Sequence, residues 1–105
     1  MHAVESITKP LLLLQLALLS LLAACQTAPP VQEMSDARQA IAVAKEAGAE
    51  QTATSQLQEA EAYLDSARQN LTDKRYAQAR RDAVSAKLRA LEALAVAERQ
   101  TPEPR

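Results

Sequence analysis

Side chains able to do covalent or acid–base chemistry are sparse in this sequence. There is one thiol, Cys25, and one imidazole, His2. A lone cysteine forms no intramolecular disulfide and builds no cysteine-based zinc site. Among the carboxylates, Glu59 and Glu61 would project to different faces of a helix, whereas Glu61 and Asp65 share a face beside Arg68. That pair reads as a solvated polar side, because nothing near it in the sequence suggests the burial that would shift a pKa. Ser66 and Ser85 have no histidine to activate them and no lysine at the penicillin-binding spacing three residues on, and no glycine-rich phosphate loop occurs. These residues imply no enzyme, no catalytic or metal site, no cofactor and no small-molecule substrate.

What remains is the thiol and its neighbours. Cys25 follows Leu22-Ala23-Ala24 at the end of an apolar run, Leu11 to Leu22, broken only by Gln15 and Ser20. A bilayer-spanning helix needs about 20 apolar residues, whereas the core of a secretory signal has about 7 to 15. The length of the run therefore predicts a cleaved export signal over residues 1–24, with His2 removed along with it. The tetrad resembles the bacterial lipobox, an aliphatic residue and two small ones before a cysteine. That resemblance implies transfer of diacylglycerol to the Cys25 thiol, recognition of Leu22, Ala23 and Ala24 by a signal peptidase, cleavage before Cys25, and acylation of the new amine. The other reading is an ordinary secreted protein with a stray cysteine behind its cleavage site. One acyl chain binds a membrane marginally, whereas two or three hold persistently. Lipoproteins of Gram-negative bacteria are commonly kept at the inner membrane by Asp after the cysteine. Gln26 stands there, so the expected location is the outer membrane facing the periplasm, or the cell surface if there is a single membrane.

Charge adds little. Lys plus Arg number 12 and Asp plus Glu 13, a balance without the basic footprint of a nucleic-acid binder. Setting aside Lys9 and Glu5 leaves the net charge unchanged.

The elements that carry these residues are helical in character. Residues 25–34 read as an acylated cysteine and flexible tether, since Thr27-Ala28-Pro29-Pro30 has no helical or strand period. From Ser35 there is a single glycine and no proline before Pro102, with abundant Ala, Leu, Glu, Gln, Arg and Lys. Three helices are expected over residues 35–99. The first runs from an N-cap at Ser35 to a stop at Gly48, with Met34, Ala37, Ile41 and Ala44 on one face. A second starts in the capping-box spacing of Ser55 and Gln58 and carries Leu57, Ala60, Leu64, Ala67 and Leu71 in four-three alternation. After a break at Asn70 to Asp73, the third extends from about Lys74 to Arg99, and residues 100–105 form a frayed tail. The predicted fold is all-α, a short antiparallel three-helix bundle made of a helical hairpin plus one helix.

Helix three has two stripes. Tyr76, Ala79, Ala83, Ala86, Ala90, Ala93 and Ala97 form an alanine seam, and Val84, Leu88, Leu91 and Ala95 form a second, with Arg80 and Lys87 between them. Val84, Leu88, Leu91, Arg80 and Lys87 are the candidate interaction surface. Lys74, Arg75, Arg80, Arg81, Lys87 and Arg89 make the front of this helix basic, with Asp73 and Asp82 the only acids from 73 to 89. They spread around the helix and read as ordinary surface pairing, such as Arg89 with Glu92. Tyr63 and Tyr76 read as core or boundary residues. Ten larger aliphatics between Ser35 and Arg99 make a thin core, which predicts completion of a stripe by self-association or a protein partner.

Asp36-Ala37-Arg38, Ala40-Ile41, Ala44, Ala47-Gly48-Ala49-Glu50, Leu57, Ala60-Glu61, Leu64, Ala67, Tyr76, Ala79-Arg80, Ala83 and Ala86 together resemble the bacterial envelope family called domain of unknown function 4398. The resemblance covers Ser35 to Ala97 and implies a helical, exported or lipid-anchored protein. Some relatives carry an OmpA-like peptidoglycan-binding domain. Where the family often has Ala-Pro before the second helix, Ala53-Thr54 stands here, leaving that helix start to capping by Thr54 or Ser55. The expected role is a noncatalytic lipid-anchored scaffold of the cell envelope. The alternative is an oligomeric coiled-coil spacer, which Gly48 and the break at Asn70 to Asp73 interrupt.

Overall fold

The computed structural model describes the backbone of residues 2–100 and the side chains of residues 6–20 and 28–100. Five helices follow one another: α1 His2–Thr27, α2 Val31–Glu46, α3 Ala49–Thr52, α4 Thr54–Thr72 and α5 Tyr76–Gln100. The all-α class expected from the alanine, leucine and glutamate content holds, with no strand among the described residues.

Paired side chains give the directions of the helices. Glu59 of α4 meets Arg89 of α5, and Ser66, seven residues further along α4, meets Asp82, seven residues back along α5. The two helices are therefore antiparallel. On α2, Glu33 meets Arg80 and Lys45 meets Glu61, which places α2 parallel to α5 and antiparallel to α4. Helices α2, α4 and α5 form an up-down-up bundle in which α5 contacts both α2 and α4. In α1 the residues Ile7, Leu11, Leu12, Leu13, Leu14, Leu16, Leu18 and Leu19 are each more than half exposed, so residues 6–20 add nothing to the core.

Small residues dominate the core. Ala37, Ala44, Ala60 and Ala67 of α2 and α4 meet Ala79, Ala83, Ala86, Ala90, Ala93 and Ala97 of α5, all fully buried. Met34, Ile41, Leu57 and Leu64 are the larger buried side chains, with Tyr63, Leu71, Leu94 and Val96 packed against them from the rim. Alanine contributes little apolar area but lets helix backbones approach to the short end of the usual range of about 8–10 Å.

The helix ends differ from expectation in three places. α2 begins at Val31, so Ser35 lies within the helix and Pro30 stands at the N-cap, its carbonyl accepting the Met34 N–H at 3.1 Å. Proline suits this end because the N–H it lacks would have no intrahelical partner there. Met34 is buried, so residues 31–34 belong to the bundle and the non-helical stretch narrows to 28–30. α4 begins at Thr54 behind Ala53 with no side-chain cap. Its approach is set by the one-turn helix α3, where Thr52 Oγ1 donates to the Gly48 carbonyl and Thr54 Oγ1 to the Glu50 carbonyl. Finally, α4 continues to Thr72 and the turn lies at 73–75. There Lys74 takes φ +61°, its N–H bonds the Leu71 carbonyl, and the Arg75 N–H bonds the Asn70 carbonyl. This is a Schellman closure with lysine at the left-handed position. Gly48, with φ +90°, ends α2 where the sequence places its stop.

Candidate functional site

The α5 helix presents two continuous seams. The alanines of one seam face α2 and α4 and are fully buried, with Tyr76 half-buried at its start. On the other side, Val84, Leu88 and Leu91 are 44%, 56% and 43% exposed, although each is large enough to be worth burying. Ala95 continues that row and is also exposed. One step further in each direction, at the same three-four spacing, stand Arg81 and Glu98, both exposed. The apolar row therefore has a cation at one end and an anion at the other. Continuing the count one step either way would have found both.

The two basic residues assigned to this surface separate. Lys87 is exposed beside the row. Arg80 turns away to α2, where its Nε donates to Glu33 Oε1 at 3.1 Å and its guanidinium also donates to the Ala28 carbonyl at 3.1 Å. It ties α5 to the chain entering the bundle.

Several other charged side chains have surface partners. Lys45 Nζ is 2.7 Å from Glu61 Oε1, a hydrogen bond and attraction that hold the lysine above its ordinary pKa of 10.5. Arg89 lies 3.0 Å from Glu92 and 3.2 Å from Glu59, and its guanidinium is likewise raised, first by the hydrogen bond to Glu92. Arg68 pairs with Asp65, and Arg81 donates to Gln78.

Asp82 is the residue that sequence reasoning missed. It is the one buried charged residue among those described, 7% exposed, and it carries no cation. Its Oδ2 accepts from Ser66 Oγ at 2.7 Å and Asn70 Nδ2 at 2.8 Å, while Oδ1 accepts from Gln78 Nε2 at 3.0 Å. Three neutral donors thus replace the water lost on burial. Beside Ser66 an open groove is lined by Glu59, Ala62, Tyr63 and Ser66.

Cys25 and its neighbours Leu22, Ala23, Ala24 and Gln26 lie on the last turns of α1, and their side chains fall outside the described residues, as do residues 101–105. No helix among the described residues is long and apolar enough to cross a membrane.

The family model described as domain of unknown function (DUF4398) matches residues 32–103. No curated protein and no solved structure matches the chain.

Proposed function

The chain belongs to the family described as domain of unknown function (DUF4398), and from that premise we propose that it is a noncatalytic, lipid-anchored protein of the cell envelope whose helical bundle binds a protein partner or a second copy of itself. The observation that carries the anchor is Leu22-Ala23-Ala24-Cys25 behind an apolar run too short to span a bilayer. The exposure of the leucines from Leu11 to Leu19 supports this reading, because side chains that bury nothing in the bundle can be removed without opening the core. Diacylglycerol on the Cys25 thiol and an acyl chain on its amine are the anchor. In a cell with two membranes, Gln26 directs the protein to the outer membrane, with the bundle in the periplasm. The exposed row Val84, Leu88 and Leu91 supports the interaction half of the proposal. The up-down-up fold favours a compact module over the alternative, a coiled-coil spacer, since each long helix folds back on the next.

Labelling producing cells with radioactive palmitate tests the anchor. The native chain takes up label and sediments with membranes, and Cys25→Ser abolishes the label and leaves the signal uncleaved. A mature N-terminal peptide recovered with unmodified Cys25 would overturn the anchor.

A further inference from the structure

We propose that the partner for the exposed row of α5 is a second copy of this chain, paired antiparallel through Arg81, Val84, Leu88, Leu91, Ala95 and Glu98. The inference deepens the interaction reading above and rests on it. These six residues follow one another at spacings of three, four, three, four and three, all exposed. That is the seam of a two-helix coiled coil, with Arg81, Leu88 and Ala95 in one core position and Val84, Leu91 and Glu98 in the other.

Charge selects both the occupant and the direction. When two such helices run antiparallel, unlike core positions face each other. Arg81 then lies opposite Glu98 of the second copy, Val84 opposite its Ala95, and Leu88 opposite its Leu91. Twofold symmetry repeats each pairing, so two ion pairs close the ends of an apolar centre made of four leucines. A parallel pair would instead place Arg81 against Arg81 and Glu98 against Glu98, and like charges in facing positions disfavour it. The row is thus complementary to its own reverse. A surface shaped for an unrelated helix would have no reason to be.

The interface is small, and the membrane compensates for that. Anchored chains meet at a raised effective concentration, which lets a modest apolar contact hold. Arg80 binds the Ala28 carbonyl, so the chain enters each bundle at the start of α5. At 1.5 Å per residue the two entry points of the pair stand about 28 Å apart along the helix axis. A pair lying along the membrane surface lets both copies stay anchored.

Disulfide trapping of the full chain in the membranes of producing cells tests this, with the chain lacking added cysteines as control. Differently tagged chains carrying Val84→Cys and Ala95→Cys, produced together, form a mixed disulfide dimer under mild oxidation. Val84→Cys alone forms none, because its two copies lie far apart along the antiparallel axis. Adding Arg81→Glu to both chains lowers the mixed dimer several-fold, and adding Arg81→Glu together with Glu98→Arg restores it. All these positions are exposed, so the bundle tolerates the changes. A dimer from Val84→Cys alone overturns the proposal in favour of a parallel pair, and a yield indifferent to Arg81→Glu overturns the register. If neither combination crosslinks while a photoreactive group at Leu88 captures a different protein, the second copy is excluded and the interaction reading survives. If nothing is captured, both fall.

Discussion

The hydroxyl of Ser66 donates to Asp82 Oδ2 at 2.7 Å across the α4–α5 interface, joining the one buried carboxylate among the described residues to the antiparallel helix. Asn70, one turn further along α4, donates to the same oxygen, and Gln78 donates to the other. In an interface rich in alanine, whose side chains slide past one another with little penalty, this directed polar contact helps specify the register of the two helices.

Replacing Asp82 with Asn turns an acceptor into a donor facing donors. The expected loss is about 1–3 kcal/mol of stability, the cost of leaving buried polar groups unmatched. Urea denaturation midpoints of Asp82→Asn, Ser66→Ala and the double variant check it. The double variant should lose less than the sum of the two, because both single changes remove the same bond.

Backbone at two turns gives opposite predictions. Gly48 has φ +90°, and although a Cβ there would meet nothing within 4 Å, Gly48→Ala should cost about 1 kcal/mol through conformation alone. Lys74 sits at φ +61° with its side chain exposed. Lys74→Gly should raise stability by roughly 0.5 kcal/mol, the relief at the left-handed position exceeding the added freedom of the unfolded chain. Thermal midpoints of the two variants should move in opposite directions.

The spacing of apolar residues made the bundle legible. Leu57, Ala60, Leu64 and Ala67 on α4, and the alanines of α5, mark their buried faces because a helix brings every third and fourth residue to one side. Gly48 declared its turn because it takes a conformation that few other residues accept. Asp82 was not legible. Two of its donors lie twelve and sixteen residues away on another helix, and from the sequence alone it is one of two acids in a basic stretch. The start of α2 was misplaced at Ser35 because serine is a good cap in general. Here Met34 has a buried site to fill, and that packing draws the helix back to Val31.

The same alanines predict a low tolerance for volume. Ala90 is fully buried in the α5 seam, so Ala90→Leu should cost about 1–3 kcal/mol by forcing the helices apart. Leu88→Ala removes a larger group from the exposed side and should change the stability of a single bundle by less than about 0.5 kcal/mol. Urea denaturation of the two variants under monomeric conditions separates the faces.

Alkaline pH should weaken one link. The pKa of Lys45 is raised above 10.5 by Glu61, so the folded state holds this proton more tightly than the unfolded chain does. Its contribution is fully present below pH 10.5 and is lost as pH rises through the higher folded value. The effect is small because both side chains are 42% exposed. The stability difference between the native chain and Lys45→Met should be constant from neutral pH up to that point and shrink above it.

Arg80 couples the entry of the bundle to its central helix. Its guanidinium reaches Glu33 on α2 and the Ala28 carbonyl just before it, at 3.1 Å each. A planar fork can make both contacts at once, which an ammonium group cannot match. Both side chains of the ion pair are about one third exposed, 30% and 33%, so Arg80→Gln should lower global stability by no more than about 1 kcal/mol. Its local effect should be larger. The first turn of α2 has no side-chain cap, and its Met34 N–H bonds only as far back as Pro30, so losing Arg80 lets residues 31–34 fray while α4 and α5 stay closed. Hydrogen exchange resolved by residue checks this. Protection at Met34 to Ala37, whose N–H groups bond the carbonyls of residues 30–33, should fall more steeply than at Ala86 or Leu64, and an equal fall at all of them would mean that Arg80 supports the whole bundle and not its entry. Because any anchor at Cys25 acts through these residues, the same frayed turn would lengthen the reach of the bundle from its membrane.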